Sequence, residues 1–225
     1  MTAQFALRRT RLDAGERGIG WKVGFGAPAA REKLGIAAPL VGFLTDRARL
    51  ASGSCVSLEG WTRAAAEPEI AVYLGVDVAG GATRSAVQAA ICGIGPAIEL
   101  ADVDRPPDEV QAILSGNIYQ RHVIFGRCDT TRAGARLDGL LARVVRNGEE
   151  IARTEDPQAL TGELIDIVRH VADTLAACGD RLTAGQAIIT GSIVPPLWIE
   201  PGEELVFALD PVDTVTVRFA AANRS

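Results

Sequence analysis

The sequence predicts an α+β fold, on three observations. Short β-rich runs outnumber helical ones. The elements follow the order strands, helix, strands, longer helix, strands. No regular strand–helix alternation suggests a doubly wound sheet. The 225 residues, 48% apolar and 23% charged, suffice for one soluble globular domain with a substantial core.

Residues 18–25 read as a strand with glycine breaks, 28–34 as one or two helical turns, and the stretch holding Pro39 and Gly42 as a loop. Residues 67–75 form a strand that ends near Gly80 and Gly81. Residues 85–94 read as a helix, because Ser85 and Gln88 have capping-box spacing and Val87, Ile91 and Ile94 share a face. Gly95-Pro96 is its expected stop, and 97–101 resume an extended run. Residues 123–125 and 137–146 read as strands, with a hairpin turn at Asn147-Gly148. The clearest helix is expected from Asp156-Pro157, an N-cap followed by proline at the first helical position. Leu160, Leu164, Ile167, Val168, Val171 and Leu175 form its apolar stripe, and Gly179 ends it. Residues 187–190, 205–209 and 215–219 are short strands, with a turn over 210–213.

Composition excludes several classes. The net charge is −5 and the arginines are interleaved with acids, so no basic face for nucleic acid is expected. No run approaches the roughly 20 apolar residues of a membrane span. Arg8, Arg9 and Arg11 are followed by no apolar core of a signal peptide. Cys55, Cys92, Cys128 and Cys178 make no CxxC pair and read as buried thiols of a reducing compartment. The expected location is cytoplasmic.

Chemistry centres on Glu67 and Glu69. Alternate residues of a strand share a face, so these two lie with Ala71 and Tyr73, opposite Ile70, Val72 and Leu74. By spacing alone the pair reads more readily as a solvated edge-strand face. Glu99 shifts the balance: a lone acid in the apolar run 96–100 could bring a third carboxylate from a second strand. Like charges at close quarters need a partner, and a hard divalent cation with open positions for water or substrate oxygens supplies one. Lys22, between apolar residues and glycines, can approach a bound anion, or can simply reach water. Thr190-Gly191-Ser192 ends a strand and could offer N–H and hydroxyl groups to a carboxylate, as could an ordinary turn. His170 lies off its helix stripe and reads as a surface residue; His122 could be either.

In order and spacing, several segments together resemble one family. They are Trp21-Lys22-Val23-Gly24, Lys33-Leu34-Gly35-Ile36 with Pro39, Gly42-Phe43-Leu44-Thr45-Asp46, Glu67-Pro68-Glu69-Ile70-Ala71, Pro96-Ala97-Ile98-Glu99, Asn117 and Thr190-Gly191-Ser192. The family is the 2-keto-4-pentenoate hydratase and 4-oxalocrotonate decarboxylase group, within the fumarylacetoacetate hydrolase-like superfamily. The resemblance implies a mixed β-roll with flanking helices: a single domain over 1–225, with a short segment 1–18 and a catalytic β-roll over 19–221. It implies that Glu67, Glu69 and Glu99 ligate Mg²⁺ or Mn²⁺, that Lys22 and Asp46 are catalytic, and that Phe25, Leu44, Asn117, Thr190, Gly191 and Ser192 contact substrate. The implied substrate is a small 2-oxo or 2-hydroxydienoic acid. The implied partners are further copies of the chain in a homo-oligomer and a pathway enzyme. Hydration of a 2-hydroxy-2,4-dienoate in ring-cleavage catabolism leads; decarboxylation, acylpyruvate hydrolysis and a catalytically degenerate homologue are the alternatives. The segment after Asn117, Ile118-Tyr119-Gln120-Arg121, stands where the family commonly has small and hydroxyl residues.

Overall fold

A computed structural model describes residues 2–221. The chain opens with helix α1 (Thr2–Asp13), then runs through β1 (Gly18–Gly24), α2 (Pro28–Leu34), β2 (Leu40–Thr45), β3 (Arg49–Leu50), β4 (Ser54–Val56) and β5 (Ala64–Leu74). The middle holds α3 (Arg84–Ala90), β6 (Ile91–Asp102), α4 (Val110–Ser115), β7 (Gln120–Phe125), β8 (Leu141–Arg146) and β9 (Glu149–Thr154). The last part is α5 (Leu164–Ala177), β10 (Ala187–Ser192), β11 (Leu197–Trp198), β12 (Glu204–Asp210) and β13 (Asp213–Phe219). Strands therefore dominate and helices flank them, as an α+β fold requires.

The strands make two sheets. One has eight strands in the order β2-β1-β10-β5-β6-β7-β3, with β11 added against β5; the other runs β4-β13-β12-β8-β9. The edge strands β2 and β3 of the larger sheet are joined only by the 3₁₀ turn Asp46–Ala48. Its two edges must therefore approach each other, and the sheet is rolled. The main core fills the space between one face of the roll, the second sheet and α5: Ile70, Val72, Ile94 and Ile98 meet Phe207, Leu209, Val215 and the stripe Leu164, Val168, Val171 and Leu175. The other face is lined by a smaller cluster, Leu44, Ala71, Ala97, Val123 and Ile189.

Several boundaries differ from the sequence reading. α3 is capped by Thr83, whose hydroxyl accepts the Ala86 N–H, and it ends at Ala90. Ile91 and Ile94 join β6, where the register with β5 continues through Pro96 opposite Ile70. β-Branched residues that share a helical face also suit a strand, and pairing along β5 decides between the two. Pro96 is tolerated at the end of the β6–β7 pairing, which starts at Ala97: its carbonyl still accepts the Gly126 N–H at 2.8 Å, and an end position does not call on the N–H it lacks. The second long helix starts at Leu164, not at Asp156-Pro157. Gly162, at φ 90°, interrupts the run, and Leu160 stays exposed. The loop expected around Pro39 and Gly42 is the edge strand β2, and α1 and α4 were not anticipated. Cys55 and Cys178 are exposed, and Cys92 and Cys128 are partly buried; all four are free thiols, but none is fully buried. His170 is half-buried, with its Nε2 2.9 Å from the Pro39 carbonyl oxygen. The Asn147-Gly148 hairpin forms as expected, with φ of 52° and 84° at its two residues.

Candidate metal centre

The β5–β6 register sets Glu67 directly opposite Glu99, and Glu69 opposite Ala97. Two carboxylates facing each other across a ladder are normally destabilising. Here a third joins them. One carboxylate oxygen from each of Glu67, Glu69 and Glu99 lies within 4.8 Å of the other two. Glu69 and Glu99 are fully buried and Glu67 is half-buried, so the site opens on the Glu67 side.

Lys22 reaches this cluster from β1. In a flat sheet β1 and β6 stand three strand spacings apart, about 14 Å. The roll closes that gap, and the buried Lys22 Nζ donates to Glu99 Oε1 and, at 3.1 Å, to the Ile118 carbonyl oxygen. Gly42 makes room, since a Cβ there would lie 2.7 Å from Lys22 Cγ. The Ile118 carbonyl is presented by an unusual turn: Asn117, Ile118 and Tyr119 all have positive φ, at 68°, 57° and 62°. A β-branched residue in this region is strained. The turn is held by Asn117, whose amide accepts the Phe43 N–H and donates to the Phe43 carbonyl oxygen, both at 2.9 Å.

Burial pushes all three carboxyls up. Desolvation is the largest cause for Glu67, with Lys22 opposing it. Glu69 rises well above the usual range through desolvation and then the charges of Glu99 and Glu67, against Lys22 and the Gly191 amide. Glu99 is pushed up to about 7, desolvation outweighing its Lys22 partner. Glu69 Oε1 and Glu99 Oε2 are buried with no hydrogen-bond partner. Orphaned anionic oxygens, all-oxygen donors and three carboxylates against one ammonium fit a hard dication.

The other expected residues fall into three groups. Thr190, Gly191 and Ser192 border the cluster: the Gly191 N–H donates to Glu69 Oε2 at 2.6 Å, Thr190 Oγ1 donates to the Ile70 carbonyl at 3.0 Å, and Ser192 Oγ to that of Pro68 at 3.5 Å. Leu44 lies in the apolar cluster inside the roll, while Phe25 packs beside the strained turn with Ile113, Leu114 and Tyr119. Asn117 is fully buried, with its amide engaged by the Phe43 backbone. Asp46 is not brought to the cluster. It accepts from the Arg17 N–H and Nε, each at 2.9 Å, which holds its carboxyl below the usual range. Its strand neighbour Thr45 pairs with Gly18, four residues from Lys22. Gly42 and the Ile118 carbonyl were missed by sequence reasoning; a glycine inside an otherwise apolar strand is a signal for the first, and nothing in the sequence signals the second.

No family model matches the chain. It is 30% identical over 218 residues to 2-hydroxyhexa-2,4-dienoate hydratase of Comamonas testosteroni, covering 95% of this chain and 82% of that protein. The solved structure of 4-oxalocrotonate decarboxylase from Pseudomonas putida G7, complexed with magnesium and adipate, superimposes with a TM-score of 0.87 at 25% identity, over 96% of this chain and 83% of that one. Fumarylacetoacetate hydrolase from Exiguobacterium antarcticum shares the fold, with a TM-score of 0.70 at 16% identity, over 91% of this chain and 75% of that one.

Proposed function

The chain belongs to the 2-keto-4-pentenoate hydratase and 4-oxalocrotonate decarboxylase family, and from that premise we propose that it is a metal-dependent hydratase of a 2-hydroxy-2,4-dienoate, with Glu67, Glu69 and Glu99 holding Mg²⁺ or Mn²⁺. The observation that carries this reading is the buried three-carboxylate cluster with its two orphaned oxygens. A dication held by these three carboxylates would supply Lewis-acid polarisation of a 2-oxo acid's oxygens. The chain's own groups do the rest. Lys22 holds an ammonium beside the same oxygens, fixed by Glu99 and the Ile118 carbonyl. It can give a proton to C5 and be replenished from the enol O–H as the dienol becomes the conjugated 2-oxo-3-enoate, and give one to C3 and be replenished from the water whose hydroxyl adds at C4. Gly191 fixes the orientation of Glu69, and Leu44, Ala71, Ala97, Val123 and Ile189 keep bulk water from the closed side. The half-buried Glu67 borders the side from which substrate and water enter.

Decarboxylation is the second reading, favoured by the likeness to a decarboxylase solved with a dicarboxylate. Loss of CO₂ leaves the same enolate, so one site can serve either reaction. The reading takes residues 1–225 as a single domain that assembles into a homo-oligomer and works beside a pathway enzyme; the four free thiols support a reducing, cytoplasmic compartment. No helix among the described residues is long and apolar enough to cross a membrane. Incubation of the purified protein with Mg²⁺ and 2-hydroxypenta-2,4-dienoate or 2-oxohex-3-enedioate separates the reactions. 4-Hydroxy-2-oxopentanoate marks the hydratase and CO₂ release the decarboxylase. Tight Mg²⁺ binding without turnover of either compound or of acylpyruvates marks a degenerate homologue.

A further inference from the structure

We propose that a cavity of about 100 Å³ between α1, α4 and the β6–β7 connection binds a small oxyanion, a carboxylate or a phosphate, held by Gln120 Nε2 and the Arg11 guanidinium. None of Lys22, Glu67, Glu69 and Glu99 lines this cavity, so the inference stands apart from the metal-site reading.

The wall has donors to spare and no free acceptor. Gln120 is only 6% exposed, and its Nε2 has no hydrogen-bond partner. Its orientation is fixed from behind. Asn117 Oδ1 accepts the Phe43 N–H, so Asn117 Nδ2 must be the donor that faces Gln120 Oε1, at 3.5 Å. Gln120 therefore turns its oxygen to Asn117 and leaves its N–H₂ group for the cavity. The carboxylates of the wall are already spent. Asp102 Oδ1 accepts the N–H groups of Thr62 and Arg63, and its Oδ2 accepts from Arg121 at 2.7 Å. Both oxygens of Asp104 accept from Arg105, at 3.0 and 3.1 Å. The Tyr119 hydroxyl donates elsewhere, to the Arg105 carbonyl at 2.9 Å.

Arg11 is the remaining cation. Its Cζ lies 5.4 Å from the centroid of the Phe43 ring, and among the described residues its side chain makes no ion pair and no hydrogen bond. Three guanidiniums thus face two carboxylates, which leaves one positive charge over. A buried donor without an acceptor is costly. Water would supply an acceptor but no charge, whereas an oxyanion supplies both. The volume equals that of about three waters, enough for a carboxylate or phosphate group. Through Asn117 the site is joined to the turn that presents the Ile118 carbonyl to Lys22, so an occupant steadies that turn.

Calorimetry on the Mg²⁺-loaded protein with acetate and with inorganic phosphate tests this. The wild type is expected to bind at least one of them saturably below about 10 mM. Gln120→Glu keeps the shape and an oxygen for Asn117, but removes the donor and puts a negative charge beside the ligand. Arg11→Met keeps an alkyl stem on Phe43 and removes the free cation. Each should weaken the binding about tenfold or more. Arg11 is half-buried and holds no other side chain, so its variant carries the test if Gln120→Glu fails to fold. Acetate as the tighter probe assigns a carboxylic acid as the ligand, and phosphate a phosphorylated compound. No saturable binding of either probe overturns the inference. So does binding that is as tight in a folded variant as in the wild type, which would place the anion at the metal centre or on the general surface.

Discussion

Glu69 carries the conflict of the centre in a single side chain. It is fully buried, one oxygen is fixed by the Gly191 N–H, and the other has no partner. Three carboxylates face one ammonium, so a dication neutralises the cluster. Glu69→Gln keeps the shape and the Gly191 contact but removes the charge; Mg²⁺ affinity by calorimetry should fall at least about 100-fold, since even ligand-supporting groups are worth 10–100-fold. Unchanged affinity would show that the ion does not sit on these carboxylates. At the far side of β7, His122 stacks on Trp61 with centroids 6.1 Å apart. Burial holds its imidazole below the ordinary range, Arg121 adds to the effect, and a hydrogen bond to the Ala48 backbone opposes it. Its folded-state pKa thus lies below the unfolded value of about 6.5. The unfolded chain therefore protonates first as pH falls. The neutral ring contributes stability above about pH 6.5 that is lost through the lowered folded value. The urea midpoint should drop between about pH 7 and pH 5.5 more in the wild type than in His122→Phe, which keeps an aromatic ring for Trp61 and cannot titrate.

At the level of elements, the turn after α4 couples the edge strand β2 to the site. The Asn117 amide pairs with both backbone groups of Phe43 and so substitutes for a further strand at that edge. It also holds the left-handed run that aims the Ile118 carbonyl at Lys22. Asn117→Ala leaves buried Phe43 N–H and C=O groups unpaired and puts a less tolerant residue at positive φ. A loss of about 2–4 kcal/mol in denaturant unfolding is expected. A change under about 0.5 kcal/mol would mean that the turn is held by Ile118, Phe25 and Leu40 packing alone. The helix of α5 shows why some elements were readable and others were not. Its stripe Leu164, Ile167, Val168, Val171 and Leu175 is buried as its spacing predicts, yet its start was misplaced, because Asp156-Pro157 signals a turn as well as it signals a helix.

For the whole molecule, an ion held by these carboxylates would belong to the folded state alone, because only the roll gathers β1, β5 and β6 around one point. An ion that binds only the native chain adds RT ln(1 + [L]/Kd) to stability, about 2.7 kcal/mol at one hundred times Kd. Mg²⁺ at saturating concentration should therefore raise the melting temperature of the wild type by several degrees. The same addition should leave that of Glu69→Gln nearly unmoved. An equal rise in both proteins would mark non-specific ion binding to the acidic surface.

By itself the sequence determined the strand-dominated class and the face on which Glu67 and Glu69 lie, because strand alternation is a local property of the backbone. It also determined the Asn147-Gly148 hairpin, since tolerance of positive φ is local too. The order of the landmarks from Lys22 to Ser192 sufficed to identify the family. Only the tertiary structure decided that Glu99 stands opposite Glu67, that Lys22 crosses the roll to reach it, and that Asp46 stays outside with Arg17. These depend on register and on the curl of an eight-stranded sheet. Both follow from summed pairing and packing across distant segments, which no local pattern of residues encodes.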